Sequence, residues 1–97
     1  MSVNVNAVVV LRTRDEKREG FLEILRRAKP KLLRTDGCLS VRIYADEKNP
    51  NTLVLIEEWT SKEKHQAYFG SLVKSGEWKY MAEHLATEPE SRYCIEI

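Results

Sequence analysis

Cysteine and histidine are scarce in this sequence, and their scarcity excludes several kinds of site. The two cysteines, Cys38 and Cys94, form no Cys-x-x-Cys pair and belong to no Cys/His cluster with metal-ligand spacing. A zinc module and a disulfide-stapled scaffold are therefore excluded, and we expect no metal site. Two thiols in an otherwise ordinary domain are expected to be reduced, which is typical of the cytoplasm.

A long hydrophobic run is also missing. The longest one, Ala7 to Leu11, is far shorter than the ~20 residues of a membrane helix. The first residues lack the basic-then-apolar order of a signal peptide. We therefore expect a cytoplasmic protein that does not bind membranes.

Neither sign of charge dominates, since the formal net charge is +1. This balance argues against a protein built to coat nucleic acid, and we expect no nucleic-acid partner. Basic residues do gather on one predicted helical face, where Arg27, Lys31 and Arg34 follow at i, i+4 and i+7. A solvated face is the favoured interpretation, and an anion- or nucleic-acid-binding stripe is the alternative.

Hydrophobic residues make up 42% of the chain and charged residues 32%, which suits one folded domain over residues 1–97. Hydrophobic periodicity predicts six elements in the order β-α-β-β-α-β. The predicted strands are residues 3–12, 39–44, 52–59 and 92–97, and the predicted helices run from Thr13 to Asp36 and from Thr60 to about Leu85.

Local signals refine the two helices. The segments Thr13–Glu16 and Thr60–Glu63 have the spacing of helix capping boxes. Pro30 is expected to kink or loosen the first helix. The second helical region should break near Gly70 or Gly76.

The order of elements predicts an α+β fold of the ferredoxin-like kind, an antiparallel sheet with both helices on one face. The other face would then be uncovered, although the strands at 3–11 and 53–56 are apolar on both faces. An uncovered apolar face is a partner site. We therefore predict a homodimer in which two sheets pack face to face.

Several stretches resemble the antibiotic biosynthesis monooxygenase family. Residues 36–44 resemble the segment that follows the first helix in these domains, and residues 57–61 resemble their E-x-W-x-S strand end. Residues 64–68, 76–78 and 85–89 are similar to the helical part of one subset. Together with the strand order, the resemblance covers nearly the whole chain.

The resemblance implies a dimeric α+β barrel with a cavity between the sheet and the helices of each subunit. Family members include monooxygenases that oxidise aromatic polyketides or quinols with oxygen and without metal, flavin or haem, so no cofactor is expected. The substrate would be a small aromatic, phenolic or quinol molecule. Alternatives in the same fold are a non-catalytic ligand-binding or stress-related homodimer and an isomerase acting on a small carbonyl compound.

The sequence departs from the family pattern at two places. Many members carry a histidine nine residues after the tryptophan of E-x-W-x-S, and here Tyr68 holds that place. The asparagine–tryptophan–histidine set of the haem-degrading branch does not align either, because Tyr68 and Trp78 stand where tryptophan and histidine would be needed. Haem degradation is therefore disfavoured.

His65 and Tyr68 are the candidate catalytic residues. A histidine exchanges protons near neutral pH, and a tyrosine can hydrogen-bond a phenolic or quinone oxygen. Spacing of i, i+3 places both on one helical face. The alternatives are a helix histidine bonded to a backbone carbonyl or a carboxylate, and an aromatic residue of the core or the rim. His84 has a weaker case, as a polar residue near a helix end.

Two tryptophans are candidate substrate-binding residues. Trp59 and Trp78 could hold a planar ring between them. The alternative, which is favoured for Trp59, is that it closes the strand onto the helices.

Three polar residues within strands complete the candidate substrate site. Asn6, Arg42 and Tyr44 could face a cavity or a dimer interface, and Arg42 could hold a phenolate. Alternatively, Arg42 pairs with Glu57 or Glu58 across the hairpin.

Overall fold

A computed structural model describes residues 4–97 of the chain. Its elements follow the predicted order, with the second helical region divided in two. The strands are β1 (Val5–Arg12), β2 (Cys38–Ala45), β3 (Thr52–Trp59) and β4 (Glu90–Cys94), and the helices are α1 (Arg18–Leu33), α2 (Lys62–Ser75) and α3 (Glu77–Ala82). Val3, the first residue of the predicted first strand, lies outside the described residues.

The four strands form one antiparallel sheet in the order β2-β3-β1-β4. The two central strands are β3 and β1. Along the chain, α1 connects β1 to the edge strand β2, and a hairpin connects β2 to β3. This arrangement is the ferredoxin-like α+β fold, as predicted. Cys38 and Cys94 lie on the two opposite edge strands and are free thiols.

One face of the sheet, the helix face, carries the core. Leu11 opposes Leu53 on this face, and both pack against Phe21 and Leu25 of α1. At the other end of the same face Trp59 is fully buried. Side chains alternate along a strand, so every second residue of β1 and β3 points into this core.

The opposite face of the sheet, the open face, carries the remaining residues of the same strands. Val8 opposes Ile56 and Val10 opposes Val54 at its centre. These four side chains are only half-buried, because the helices pack on the other side of the sheet. The central strands therefore carry apolar residues on both faces, and only one of the two faces is covered within the chain.

The predicted capping box at Thr13 is wrong. Thr13 is buried, pairs as a β-bridge with Leu85, and directs its hydroxyl to the carbonyl of Asn51. A short 3-10 turn, Asp15–Lys17, then leads into α1 and has no side-chain cap. The N-cap position of this turn is held by Arg14, while Thr13 is still paired with Leu85.

The start of the second helix is capped one residue later than predicted. Ser61, not Thr60, accepts a hydrogen bond from the backbone N–H of Lys64. Pro30 lies inside α1, which runs on to Leu33 without interruption. The break between α2 and α3 falls at Gly76, whose φ of 87° is in the left-handed region that glycine adopts without strain.

Gly37 allows the turn after α1 to approach α2 closely. Its φ is 92°, and a Cβ at this position would stand 2.7 Å from the Cβ of Lys64. The backbone N–H of Thr60 donates to the carbonyl of Gly37 over 2.8 Å. Glycine is therefore required here for two reasons, conformation and space.

No helix among residues 4–97 combines the length and the apolar character needed to cross a bilayer.

Candidate functional site

A cavity of about 300 Å³ lies between β4, α2 and α3, on the helix face of the sheet. Part of its wall is aromatic, with Phe69 and Trp78 packed edge to face at a centroid distance of 5.2 Å. His65 and Tyr93 provide the polar groups. His65 and Phe69 are one helical turn apart on α2 and so present the same face. A mostly apolar cavity with a few convergent polar groups is the usual form of a small-molecule site.

Both ring nitrogens of His65 have neighbours. Nδ1 lies 2.6 Å from the hydroxyl oxygen of Tyr93. Nε2 lies 3.9 Å from Oε1 of Glu57, too far for a hydrogen bond but close enough for a charge interaction. The side chain of His65 is 15% exposed, so it is partly desolvated at the edge of the cavity.

A buried carboxylate stands behind the histidine. Glu57 is 5% exposed and accepts a hydrogen bond of 3.1 Å from the indole N–H of Trp59. The alternation of β3 places both residues on the helix face, two positions apart. The residues opposite Glu57 on the neighbouring strands are Ala7 and Val41, which bring no polar group. The indole N–H is its hydrogen-bond donor and the imidazole its charge partner, and its charge also reaches Cys38 and Tyr68.

Burial and hydrogen bonding set the protonation states. Burial raises the pKa of Glu57, and the bond from Trp59 acts in the opposite direction. Burial lowers the pKa of His65 below its ordinary value of 6.5. Burial also raises the pKa of Tyr93. At neutral pH the imidazole is therefore uncharged and the phenol protonated, which is the state in which a base can accept a proton.

The structure brings His65 and Trp78 together at this cavity and places two other predicted site residues behind it. Trp59 is completely buried, so its ring belongs to the core, as the favoured interpretation had it. Its ring contacts His65 on one side, at a centroid distance of 5.4 Å, and Tyr68 on the other, at 5.6 Å. His65 and Tyr68 therefore share a contact with Trp59 and open onto different spaces.

Tyr68 faces a wider groove between α1 and the second helical region, of about 460 Å³. Burial, with the charge of Glu57 adding to it, raises the pKa of Tyr68 well above its ordinary value. The basic residues Arg27 and Lys31 lie on the rim of this groove. Tyr68 is thus separated from the cavity that His65 borders.

Asn6, Arg42 and Tyr44 lie on the open face, on the far side of the sheet from His65. Their positions follow from the register, which pairs Asn6 with Glu58 and Arg42 with Ile56. The predicted pairing of Arg42 with Glu57 is wrong, because Glu57 points to the helix face. Among the described residues, Arg42 forms no ion pair.

Two residues of the site were missed by the sequence interpretation, Glu57 and Tyr93. Glu57 had a signal, since it falls in the same alternating set as Leu53, Leu55 and Trp59 and is the one acidic residue of that face. Tyr93 had no such signal in the sequence, because β4 is short and polar. The face of the sheet to which Tyr93 points is set by the pairing of β4 with β1. His84 is buried between Phe21 and Tyr80, with a ring nitrogen 3.0 Å from the carbonyl of Tyr80. That contact makes His84 part of the packing.

No group of three or more His, Cys, Asp or Glu side chains within residues 4–97 could hold a metal ion.

Comparison with known families places the chain. The model of the antibiotic biosynthesis monooxygenase family matches residues 4–89. The chain belongs to this family. No curated protein sequence matches the chain.

Solved structures of the same fold come from distant organisms. A conserved protein of Methanosarcina mazei Go1 is 20% identical and superposes with a TM-score of 0.88, over 99% of this chain and 95% of that one. The Rv0793 protein of Mycobacterium tuberculosis is 19% identical, with a TM-score of 0.85 over 97% of this chain and 95% of that one. A structure of an antibiotic biosynthesis monooxygenase is 16% identical, with a TM-score of 0.85 over 96% and 98%. At these identities the likeness shows the shared fold.

Proposed function

We propose that this protein is a cofactor-independent monooxygenase that oxidises a small phenol or hydroquinone with molecular oxygen. The observation that carries the proposal is a mostly apolar cavity, walled in part by Phe69 and Trp78, with a histidine at its edge that is hydrogen-bonded to Tyr93. Family membership supports the reaction class.

The chemistry needs only what the cavity provides. A deprotonated phenol is electron-rich and can reduce oxygen directly once it is held away from water. A hydroquinone and O₂ give a hydroxyquinone and water, so all four electrons that reduce oxygen come from the substrate. The cavity would bind the ring against Phe69 and Trp78, and a base would remove the phenolic proton.

The homodimer is part of the same proposal. The centre of the open face is apolar, with Val8, Val10, Val54 and Ile56 in adjacent pairs, and a second copy of this face would cover it. Arg42 and Tyr44 would then lie at the interface between subunits and not at the substrate.

Oxygen uptake tests the proposal. Purified protein would be supplied with a panel of small hydroquinones and polyphenols, beside His65→Ala and Trp78→Ala. We expect uptake above the autoxidation background in the wild type and a loss of most of it in both variants. Tyr68→Phe serves as the comparison that separates the two cavities, and it should retain activity because Tyr68 opens onto the other groove.

A non-catalytic ligand-binding dimer is the second candidate, and one observation favours it. Nδ1 of His65 is hydrogen-bonded to Tyr93 and Nε2 faces the buried carboxylate of Glu57 at 3.9 Å, so each nitrogen faces a protein group. Under this alternative, calorimetry would detect binding of an aromatic ligand while oxygen uptake stays at background. Turnover of a small carbonyl compound without oxygen would instead indicate an isomerase.

A further inference from the structure

Each nitrogen of His65 faces a protein group, so a different side chain must meet the substrate. The hydroxyl of Tyr93 holds Nδ1, and the Nε2 side faces the buried carboxylate of Glu57. Tyr93 itself borders the cavity and is 38% exposed. We propose that Tyr93 is the catalytic residue that takes the substrate's proton, that it passes its own proton to His65, and that Glu57 is a positioning residue for His65. This inference rests on the proposed function.

The sheet register puts Tyr93 where the relay needs it. Tyr93 lies opposite Ala7 on the helix face of β4, beside the small side chain that leaves room for its ring. Its ring meets the imidazole edge to face at a centroid distance of 5.3 Å. The hydroxyl is thus held against Nδ1, with the side chain of Gln66 as a second partner, and the residue borders the cavity.

The proton step balances without any outside reagent. The phenolic O–H of the substrate breaks and its proton bonds to the hydroxyl oxygen of Tyr93. The O–H that Tyr93 carried breaks at the same time, and that proton bonds to Nδ1 of His65. The products are a substrate phenolate, a neutral Tyr93 and an imidazolium. Because the two transfers occur together, Tyr93 never carries two protons, and the net base is the imidazole of His65.

Glu57 faces the imidazolium that this step creates. A carboxylate 3.9 Å from Nε2 stabilises the positive charge and favours the ring state with a proton on Nε2, which leaves Nδ1 free to accept. Among the described residues, the ion pairs of Glu57 are limited to His65. Burial raises the pKa of Tyr93, a hydrogen bond with Gln66 lowers it, and the charge of Glu63, on the first turn of α2, adds to the rise. A carboxylate buried without a permanent cation is costly to the fold, which a role at His65 would explain.

A kinetic comparison of two tyrosine variants tests the catalytic role of Tyr93. Tyr93→Phe keeps the ring and removes the hydroxyl. We expect kcat to fall about 100-fold, the range of lost acid–base catalysis, with KM little changed. Tyr80→Phe is the matched control, since Tyr80 is 58% exposed on α3 and borders only the other groove. A Tyr93→Phe variant with wild-type kcat would overturn the proposal.

A second substitution keeps the test valid if Tyr93→Phe folds poorly. With 3-fluorotyrosine at position 93, the phenol is more acidic and almost unchanged in size. The alkaline change in the pH–rate profile, where Tyr93 becomes a phenolate and has no proton to pass to His65, should move to lower pH. An unchanged profile would contradict a proton-carrying role.

Nuclear magnetic resonance of the His65 imidazole tests the relay without turnover. In the wild type at neutral pH we expect Nε2 to be protonated and Nδ1 unprotonated. Glu57→Gln should lower the pKa of His65, because the charge that stabilises the imidazolium is gone. A protonated Nδ1 in the neutral ring, or a pKa unmoved by Glu57→Gln, would overturn the relay. If no phenol is turned over, the proposed function fails, while this measurement still decides the arrangement of the three groups.

Discussion

The two faces of the sheet are built from the same strands and treat polar residues in opposite ways. On the helix face Glu57 is 5% exposed, so its carboxylate is desolvated and confined to an indole and an imidazole. On the open face Arg42 and Tyr44 are exposed and have apolar residues opposite them, Ile56 and Val54. The comparison shows that burial, and not the presence of polar side chains in a strand, shifts the pKa values of Glu57 and His65.

The largest expected effect is on the helix face. Trp59→Ala should lower the free energy of unfolding by about 3–5 kcal/mol, because it empties the volume of a fully buried ring. Trp78→Ala, at the wall of the cavity and partly exposed, should cost less than half as much. Urea unfolding of both variants measures the difference. Equal losses would mean that Trp78 is as much a part of the core as Trp59.

A substitution on the open face should change the association of two subunits and leave the folding of each subunit nearly unchanged. Ile56→Lys places a charge at the centre of the proposed dimer interface and should weaken dimerisation about 100-fold or more. The monomer's unfolding should change little. Val73→Lys, at an exposed position of α2, is the control that should leave the dimer intact. Analytical ultracentrifugation across a concentration series gives the answer, and a dimer unaffected by Ile56→Lys would refute the interface.

A smaller effect on the free energy of unfolding distinguishes the hydrogen bond of Glu57 from the volume of its side chain. Glu57→Leu leaves the buried indole N–H of Trp59 without an acceptor and should cost about 1–3 kcal/mol of unfolding free energy. Glu57→Gln keeps a carbonyl oxygen as acceptor and removes the charge, so it should not destabilise the fold. Thermal and urea unfolding at neutral pH compare the two. A larger loss for Gln than for Leu would show that the bond from Trp59 is not what holds this side chain.

The smallest effect is on the pH dependence of stability, where the two groups act with opposite signs. The lowered pKa of His65 gives stability that is present above its ordinary pKa of 6.5 and lost as pH falls through the lowered value. The raised pKa of Glu57 gives stability that is present below 4.5 and lost as pH rises through the raised value. Relative to the wild type, stability should rise more steeply with pH in Glu57→Gln and less steeply in His65→Gln. Unfolding titrations between pH 4 and pH 7 test this, and identical slopes in all three proteins would contradict it.

Much of the fold could be predicted from residues close together in sequence. Alternation in residues 52–59 identified β3 and its two faces, and the helical period of Phe21 to Leu33 identified α1. Local capping signals were less dependable. The Thr13 motif had the right spacing, yet the hydroxyl of Thr13 donates to the carbonyl of Asn51, which is distant in sequence.

The candidate site was predicted in part. His65 and Trp78 border the cavity, whereas Tyr68 opens onto another groove and Trp59 is core. Asn6, Arg42 and Tyr44 share the other side of the sheet. Helical spacing correctly put His65 and Tyr68 near each other, but it could not tell which groove each would meet, since that depends on how α1 and β4 flank α2.

The sequence by itself determined the order of the elements, the alternation that gives each strand two faces, and the family, because these depend on periodicity and on the order of motifs along one chain. Only the tertiary structure decided that Glu57, His65 and Tyr93 meet. They come from three separate elements, and Tyr93 faces inward because β4 pairs with β1 in the register that sets it opposite Ala7. A register is fixed by contacts between strands far apart in sequence, and a shift of one residue would turn Tyr93 to the open face.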